Sequence, residues 1–259
     1  MIYAVVTAGG IPKPDEPLYE STQGSNKAML DVAGKPMIQW VLDALSGAAT
    51  IDGVLIMGLE PETGLTCTKP LQFAPNQPSM LENILGGIRR VLEIEPKAHH
   101  VLVVSSDIPA ITPTMVDWVV NTAMETDDDV YYNVISKEVM EARYPGSRRS
   151  FTTLKDVVVC GGDMNVVRTL MATGKDELWE RIINSRKNVF KQASLVGYDV
   201  LIQLVFRTIT VKEAEKKVSK RLGLKGRVLL CPYAEVGMDV DKPHQLEMMR
   251  KDLESRRAA

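Results

Sequence analysis

Ala4-Val5-Val6-Thr7-Ala8-Gly9-Gly10 is an apolar run that ends in a glycine pair. Ile2 to Val6 is apolar and β-branched, the pattern of a strand buried in a parallel sheet. Glycines at the end of such a strand leave backbone N–H groups bare, and such groups can wrap a phosphate chain. A polar loop over residues 8–27, rich in Gly, Pro, Ser and charge, leads to Ser25-Asn26-Lys27-Ala28-Met29-Leu30. Lys27 places a cation where it can neutralise that phosphate charge.

Downstream, strand and helix patterns alternate. Pro36 opens a helix with Met37, Ile38, Val41, Leu42 and Leu45 at helical spacing, and Gly47 stops it. Val54 to Leu59 reads as a second strand. Ser79 starts a helix through Ile84, Leu85, Ile88, Val91 and Leu92. Val101 to Val104 is a third core strand, ending in Ser105-Ser106-Asp107-Ile108-Pro109, and His99 and His100 read as loop residues before it. Thr112-Pro113 caps a further helix carrying Val116, Val119, Val120 and Ala123. Such alternation predicts an α/β fold, a parallel sheet layered by helices. Beyond residue 128 the pattern changes. Strands are expected at Val130–Ile135 and Val228–Leu230, and a short ribbon at Phe151–Cys160. Residues 175–222 read as a helical insertion whose last helix is capped by Thr210 with Glu213, and residues 243–257 as a charged terminal helix.

With 259 residues, 45% hydrophobic and 25% charged, the chain matches an ordinary globular protein with a substantial core. The expected organisation is a single domain over 1–259: a first half with the glycine pair (1–127), a second half with the helical insertion (128–226), and a closing strand and helix (227–259). A formal net charge of −2 argues against nucleic acid as a partner. No apolar run approaches membrane-spanning length and no basic segment precedes an apolar core, so neither membrane nor secretion is expected. Three scattered cysteines make no C-x-x-C pair, which fits a reducing cytoplasm. Few His and Cys leave hard cations on oxygen ligands as the expected metal class.

Four groups of residues could carry chemistry. The glycine pair with Lys27 is neither a Walker loop nor G-x-G-x-x-G, because the spacings fail; its bland reading is a tight turn and a surface lysine. Asp107 stands at the carboxyl end of a core strand, where open α/β sheets bind ligands, although Asp also starts turns. In Gly237-Met238-Asp239-Val240-Asp241-Lys242-Pro243, two carboxylates at i and i+2 share one side of an extended backbone and need a cation between them. Asp241 is equally a sound helix cap. The run Tyr144-Pro145-Gly146-Ser147-Arg148-Arg149-Ser150 could hold an anionic acceptor through Arg148 and Arg149, or be solvated surface.

The order of these parts, with Lys27 preceding Gly34-Lys35-Pro36-Met37, resembles the molybdenum-cofactor guanylyl- and cytidylyltransferase (MobA-like) nucleotidyltransferases. That family moves a nucleoside monophosphate from an NTP to an acceptor and releases pyrophosphate. The resemblance covers roughly residues 1–125 and 227–255. It implies a three-layer glycosyltransferase-A-like, Rossmann-like fold with a mostly parallel sheet. It further implies that backbone at Ala8, Gly9 and Gly10 holds the triphosphate and Lys27 its charged oxygens. Lys27 and Asp107 would be catalytic, and Asp107, Asp239 and Asp241 would hold Mg²⁺. Pro78 and Ser79 lie where the family reads the base, though Ser79 and Glu82 also satisfy a capping box. Gly161-Gly162-Asp163 resembles, loosely, the acceptor-side segment of sugar and alditol nucleotidyltransferases.

The chain departs from that pattern in one respect. The arginine that usually clamps the phosphates is missing, with none before Arg89. Lys13 is the nearest substitute, but a point charge cannot fork across two oxygens. The expected substrates are an NTP and a small phosphorylated acceptor; the oligomeric state stays open, a homodimer included. Two alternatives remain beside this reading: a sugar-phosphate nucleotidyltransferase and a nucleotide-binding regulatory module without turnover. An NAD(P)-dependent reductase ranks low, with Glu60 its only loose ribose ligand.

Overall fold

Along the strand Ile2–Thr7, Ala4 and Val6 face one core and Val5 faces another, because successive side chains of a strand point to opposite faces. Both faces of the sheet are therefore covered, which is why that stretch is apolar throughout. The computed structural model describes residues 1–174, 176–185 and 197–258. In chain order its strands are β1 (Ile2–Thr7), β2 (Asp31–Val32), β3 (Lys35–Pro36), β4 (Gly53–Met57), β5 (Leu71–Ala74), β6 (His100–Ser105), β7 (Val130–Ser136), β8 (Thr152–Thr153), β9 (Val158–Gly161), β10 (Met164–Arg168) and β11 (Gly226–Leu230). Its helices are α1 (Tyr19–Thr22), α2 (Met37–Gly47), α3 (Met80–Ile94), α4 (Pro113–Ala123), α5 (Lys137–Arg143), α6 (Asp176–Ser185), α7 (Tyr198–Val205), α8 (Val211–Leu222) and α9 (Pro243–Ala258).

Strands β5, β4, β1 and β6 pair in parallel. Strand β10 then runs antiparallel between β6 and β7, and β11 pairs parallel to β7 on its far side. Ala4 and Val6 pack with Val41 and Leu45 of α2, Val116 and Val120 of α4, and Leu246 and Met249 of α9. Val5 packs with Leu85, Ile88 and Val91 of α3. The result is the expected three-layer α/β fold with a mostly parallel sheet. Gly87 lets α3 press against β1, since a Cβ there would lie 2.4 Å from Val5 Cγ1. That close approach aims the first turn of α3 at the end of β1.

Several local features differ from the reading of the sequence. Strand β5 was not expected; it is a half-buried edge strand of only four residues, too short to show a period. Helix α5 was not expected either, because its seven residues bury only Met140; Ser136 caps it, accepting from Val139 N at 3.3 Å. His100 belongs to β6 and is buried, not looped. Thr112 precedes α4 without a side-chain capping bond. The loop after β1 is not exposed throughout, since Leu18 and Thr22 are buried beside α1. Residues 186–196 of the expected helical stretch lie outside the described residues.

The capping box at Thr210 is present: Thr210 Oγ1 accepts from Glu213 N at 3.3 Å, and Glu213 Oε2 accepts from Thr210 N at 2.9 Å. Thr210→Ala is expected to cost about 1 kcal/mol, read as a lower urea midpoint with unchanged slope. An unchanged midpoint would show that α8 does not depend on its cap.

The most consequential departure is β10. Strands β9 and β10 run along the same partner but their register slips. Gly161 faces Val134 and Val166 faces Tyr131, so the four residues between them on one side oppose two on the other. Gly162 and Asp163 form the bulge that absorbs the difference. Asn133 pins it, its backbone O accepting from Gly162 N at 2.8 Å and its Nδ2 donating to Met164 O at 2.7 Å. Bulges turn a side chain out of the regular pleat, and this one turns Asp163 toward the carboxyl end of β6. Among the described residues no helix is long and apolar enough to cross a membrane.

Candidate active site

The glycine pair after β1 is shaped by its neighbours. Ala8 N donates to Met57 O at 2.8 Å, so the uncovered backbone begins at Gly9. A Cβ on Gly9 would lie 1.9 Å from Asn76 Oδ1, and one on Gly58, at φ +99°, would lie 2.6 Å from Gly9 Cα. Asn76 is held in turn by Asn83 of α3, whose Nδ2 donates to Asn76 Oδ1 at 2.8 Å while its Oδ1 accepts from Gln77 N at 2.8 Å. Around Gly10 there is open space: a Cβ there would meet nothing within 4 Å. The loop then returns through Asn26, whose Nδ2 donates to Ala8 O at 2.6 Å and whose Oδ1 accepts from Ala28 N at 2.8 Å. Lys27 N donates to Gly10 O at 2.9 Å.

That return delivers the Lys27 side chain to the acidic residues. Its Nζ lies 2.6 Å from Asp107 Oδ2 and 2.6 Å from Asp241 Oδ1. Burial opposes the charge on Lys27, but the two carboxylates outweigh it and hold its pKa above the ordinary lysine value. Ser105 Oγ donates to Asp107 Oδ1 at 2.5 Å, and Val240 N donates to Asp107 O at 3.0 Å. The second bond fastens the Asp239–Asp241 segment to the end of β6. Asp241 N donates to Gln245 Oε1 of α9 at 3.0 Å, and its carboxylate turns to Lys27.

Asp239 turns to a different cation. It forms an ion pair with Arg149, which also stands 3.6 Å from Asp163 Oδ2. Burial pushes the Asp163 carboxyl up to about 7, Asp107 and Asp241 adding to the shift and Arg149 opposing it. Among the described residues, Asp163 Oδ2 is buried without a hydrogen-bond partner.

A cavity of about 400 Å³ joins these parts, lined by Gly9, Gly10, Lys27, Pro78, Ser79, Asp107, Asp163, Asp239 and Asp241. Ser79 caps α3, its Oγ accepting from Glu82 N at 3.2 Å, so the capping role and the place on the cavity wall coexist. The positive end of α3 faces the same space. On the other side of Lys27 lies a second opening, bounded by Gly10, Pro12, Glu16, Asp241 and Lys242. Lys13 is exposed and lines neither space; its N donates to Glu16 Oε2 at 3.0 Å. Of the adjacent arginines, Arg149 reaches inward and Arg148, at φ +53°, is exposed. Gly161 O accepts from Arg149 Nη2 at 3.5 Å, and Gly162 shapes the bulge. Asn26, Asn76, Asn83 and Asp163 escaped the sequence reading as site residues. Of these, Asn26 stood in the Ser25–Leu30 stretch and Asp163 in the Gly-Gly-Asp segment, both already singled out.

The donor set suits a hard divalent cation, since it consists of carboxylate oxygens. Asp107 and Asp241 already converge on one positive centre, the Lys27 ammonium. Among the described residues no three His, Cys, Asp or Glu side chains stand together at metal-binding spacing; Asp239 is drawn aside by Arg149. Arg89 offers no clamp in the glycine loop, being on α3 with its Nε donating to Ala172 O at 3.0 Å.

Residues 4–173 match the family model described as the MobA-like NTP transferase domain. A solved structure of a hypothetical transferase from Thermus thermophilus is similar over 95% of this chain and 99% of that chain, with 31% identity and a TM-score of 0.81. A CMP:2-keto-3-deoxy-manno-octonic acid synthetase complexed with CTP covers 98% of both chains at 15% identity and a TM-score of 0.61. A 4-diphosphocytidyl-2C-methyl-D-erythritol synthase from Anaerococcus prevotii covers 98% of this chain and 96% of that one at 11% identity, also with a TM-score of 0.61. These last two share the fold. No curated protein matches the chain.

Proposed function

The chain belongs to the MobA-like NTP transferase family, and on that premise we propose that it moves a nucleoside monophosphate from an NTP to a phosphorylated small-molecule acceptor, with Mg²⁺ and release of pyrophosphate. The observation that carries the reading is Lys27. Its backbone N–H holds Gly10 and its ammonium holds Asp107 and Asp241, so one residue joins the phosphate cradle to the acidic centre.

In the reaction an acceptor phosphate oxygen attacks the α-phosphorus. The new P–O bond forms as the bond to the β-phosphate bridging oxygen breaks, and pyrophosphate leaves with the electron pair. Such a step requires little covalent help from a side chain; it requires two anions brought together and the leaving charge stabilised. Gly9 and Gly10 N–H groups and Lys27 would take the triphosphate tail. Pro78 and Ser79 would border the base, and Arg149 would face the acceptor. Mg²⁺ held by Asp107 and Asp241, with Asp239 beside them, would neutralise phosphate charge.

Pyrophosphate release measured with each of the four NTPs, with and without Mg²⁺, over pooled phosphorylated metabolites tests the proposal. Release is expected with a preferred NTP and is expected to stop in EDTA. An NTP that binds tightly while no acceptor elicits pyrophosphate would leave only the regulatory-module reading, which the missing arginine favours. Lys27→Ala is expected to weaken NTP binding about 10- to 100-fold, the worth of a charge-assisted hydrogen bond. Calorimetry reads this directly, and an unchanged affinity would remove Lys27 from the triphosphate site.

A further inference from the structure

Behind the acceptor side of the site lies a second cavity of about 400 Å³, away from the nucleotide cradle and walled by Tyr132, Trp179, Ile182, Val218, Leu222 and Val228. Its floor is the β7–β11 pair, where Val228 stands opposite Tyr132 and Leu230 opposite Val134. Helix α8 makes one wall and contributes no fully buried side chain, so the groove is not closed over by the described residues. Tyr132 on its wall remains 45% exposed, and Leu230, two residues beyond Val228 on β11, 56%. Apolar side chains left open beside each other in this way mark a surface that is covered in use.

Tyr132, on the groove wall, reaches toward Gly161 of β9, two residues before Asp163 of the reaction cavity. A Cβ on Gly161 would lie 2.4 Å from the Tyr132 hydroxyl oxygen, so glycine at that position lets the ring reach the strand end. Gly161 O accepts from Arg149, and Arg149 faces Asp163 on the cavity wall. The Tyr132 hydroxyl itself has no hydrogen-bond partner among the described residues. One end of the apolar groove therefore lies near the Arg149 guanidinium, which an anionic head would share with its ion-pair partner Asp239, and the combination matches an amphiphile with an anionic head.

We propose that the groove holds the hydrocarbon chain of the acceptor, a single-chain alkyl or isoprenoid phosphate whose phosphate end reaches Arg149. The inference rests on the nucleotidyl-transfer reading for the role of that phosphate, but the groove's occupancy can be tested without any NTP.

The test is a titration of Trp179 fluorescence in the full chain with butyl, hexyl and decyl phosphate below their micelle concentrations, with Trp179→Phe as the blank. Affinity is expected to rise about fourfold for each methylene that enters the groove. Val218→Asp and Leu230→Lys, at half-buried and exposed positions, are expected to abolish that dependence on chain length. NTP affinity and the circular-dichroism spectrum should stay unchanged in both. Equal affinities for the three phosphates, or a dependence that survives both substitutions, would overturn the proposal. So would light scattering showing a dimer that Val218→Asp splits, because the face would then belong to a second copy. Failure of NTP binding alone would sink the nucleotidyl-transfer reading and leave the dependence on chain length standing.

Discussion

Asp107→Ala is expected to lower turnover about 1,000-fold, the loss seen when a charge-stabilising group is taken from a preorganised site, while leaving the fold standing. The reason lies in how unevenly the carboxylate is shared. The carboxylate stands at the end of β6, on the wall between the glycine pair and Asp163. For stability it has two partners, Ser105 Oγ at 2.5 Å and Lys27 Nζ at 2.6 Å. Lys27 keeps Asp241 when Asp107 is removed. The two hydrogen bonds lost with the carboxylate cost together roughly 3–5 kcal/mol. Relief of crowding among Asp107, Asp163, Asp239 and Asp241 offsets part of that cost. Pyrophosphate release and a thermal melt on the same preparation separate the two effects. A variant with unaltered turnover would take Asp107 out of the chemistry.

Gly58→Ala should do the reverse, striking stability first. Gly58 sits at φ +99°, and an added methyl would meet the Cα and N of Gly9 at 2.6 and 2.7 Å. Both are backbone atoms, so no side chain can swing aside. Left-handed strain of about 1–2 kcal/mol adds to about 1–3 kcal/mol for overpacking. The melting temperature is expected to fall on the order of 10 °C, and NTP binding to weaken because Gly9 is pushed from its place against Asn76. Gly10→Ala is the control. With nothing within 4 Å of the new methyl, it should melt like the parent protein yet bind NTP less well, since that space is where phosphate would lie. A Gly58→Ala protein as stable as the parent would mean that the two turns do not touch.

Much of this molecule is readable from residue order. The apolar runs at β1, β4 and β6 announced themselves because burial on both faces leaves no polar position to confuse the period. Helices α2, α3 and α8 were legible through their spacing and caps. Short elements with little apolar content were not: β5 has four half-buried residues and α5 a single buried one. Periodicity needs length to rise above chance, and these segments owe their form to neighbours.

The candidate site divides along the same line. Sequence alone was enough to single out Gly9, Gly10, Lys27, Asp107, Asp239 and Asp241, since glycine after a strand and carboxylates at turns are local signals. It was also enough to point at the family. Which cation each carboxylate faces was decided only in three dimensions. Lys27 and Asp241 are 214 residues apart along the chain, and Arg149 approaches from a loop that could equally hold an anion or be solvated surface. Asp163 enters the cavity because β9 and β10 are out of step by two residues along β7, and a register slip exists only once partners are paired. Residue type and local spacing can say what chemistry a chain carries. Distance, charge pairing and burial arise from contacts that no stretch of sequence contains by itself.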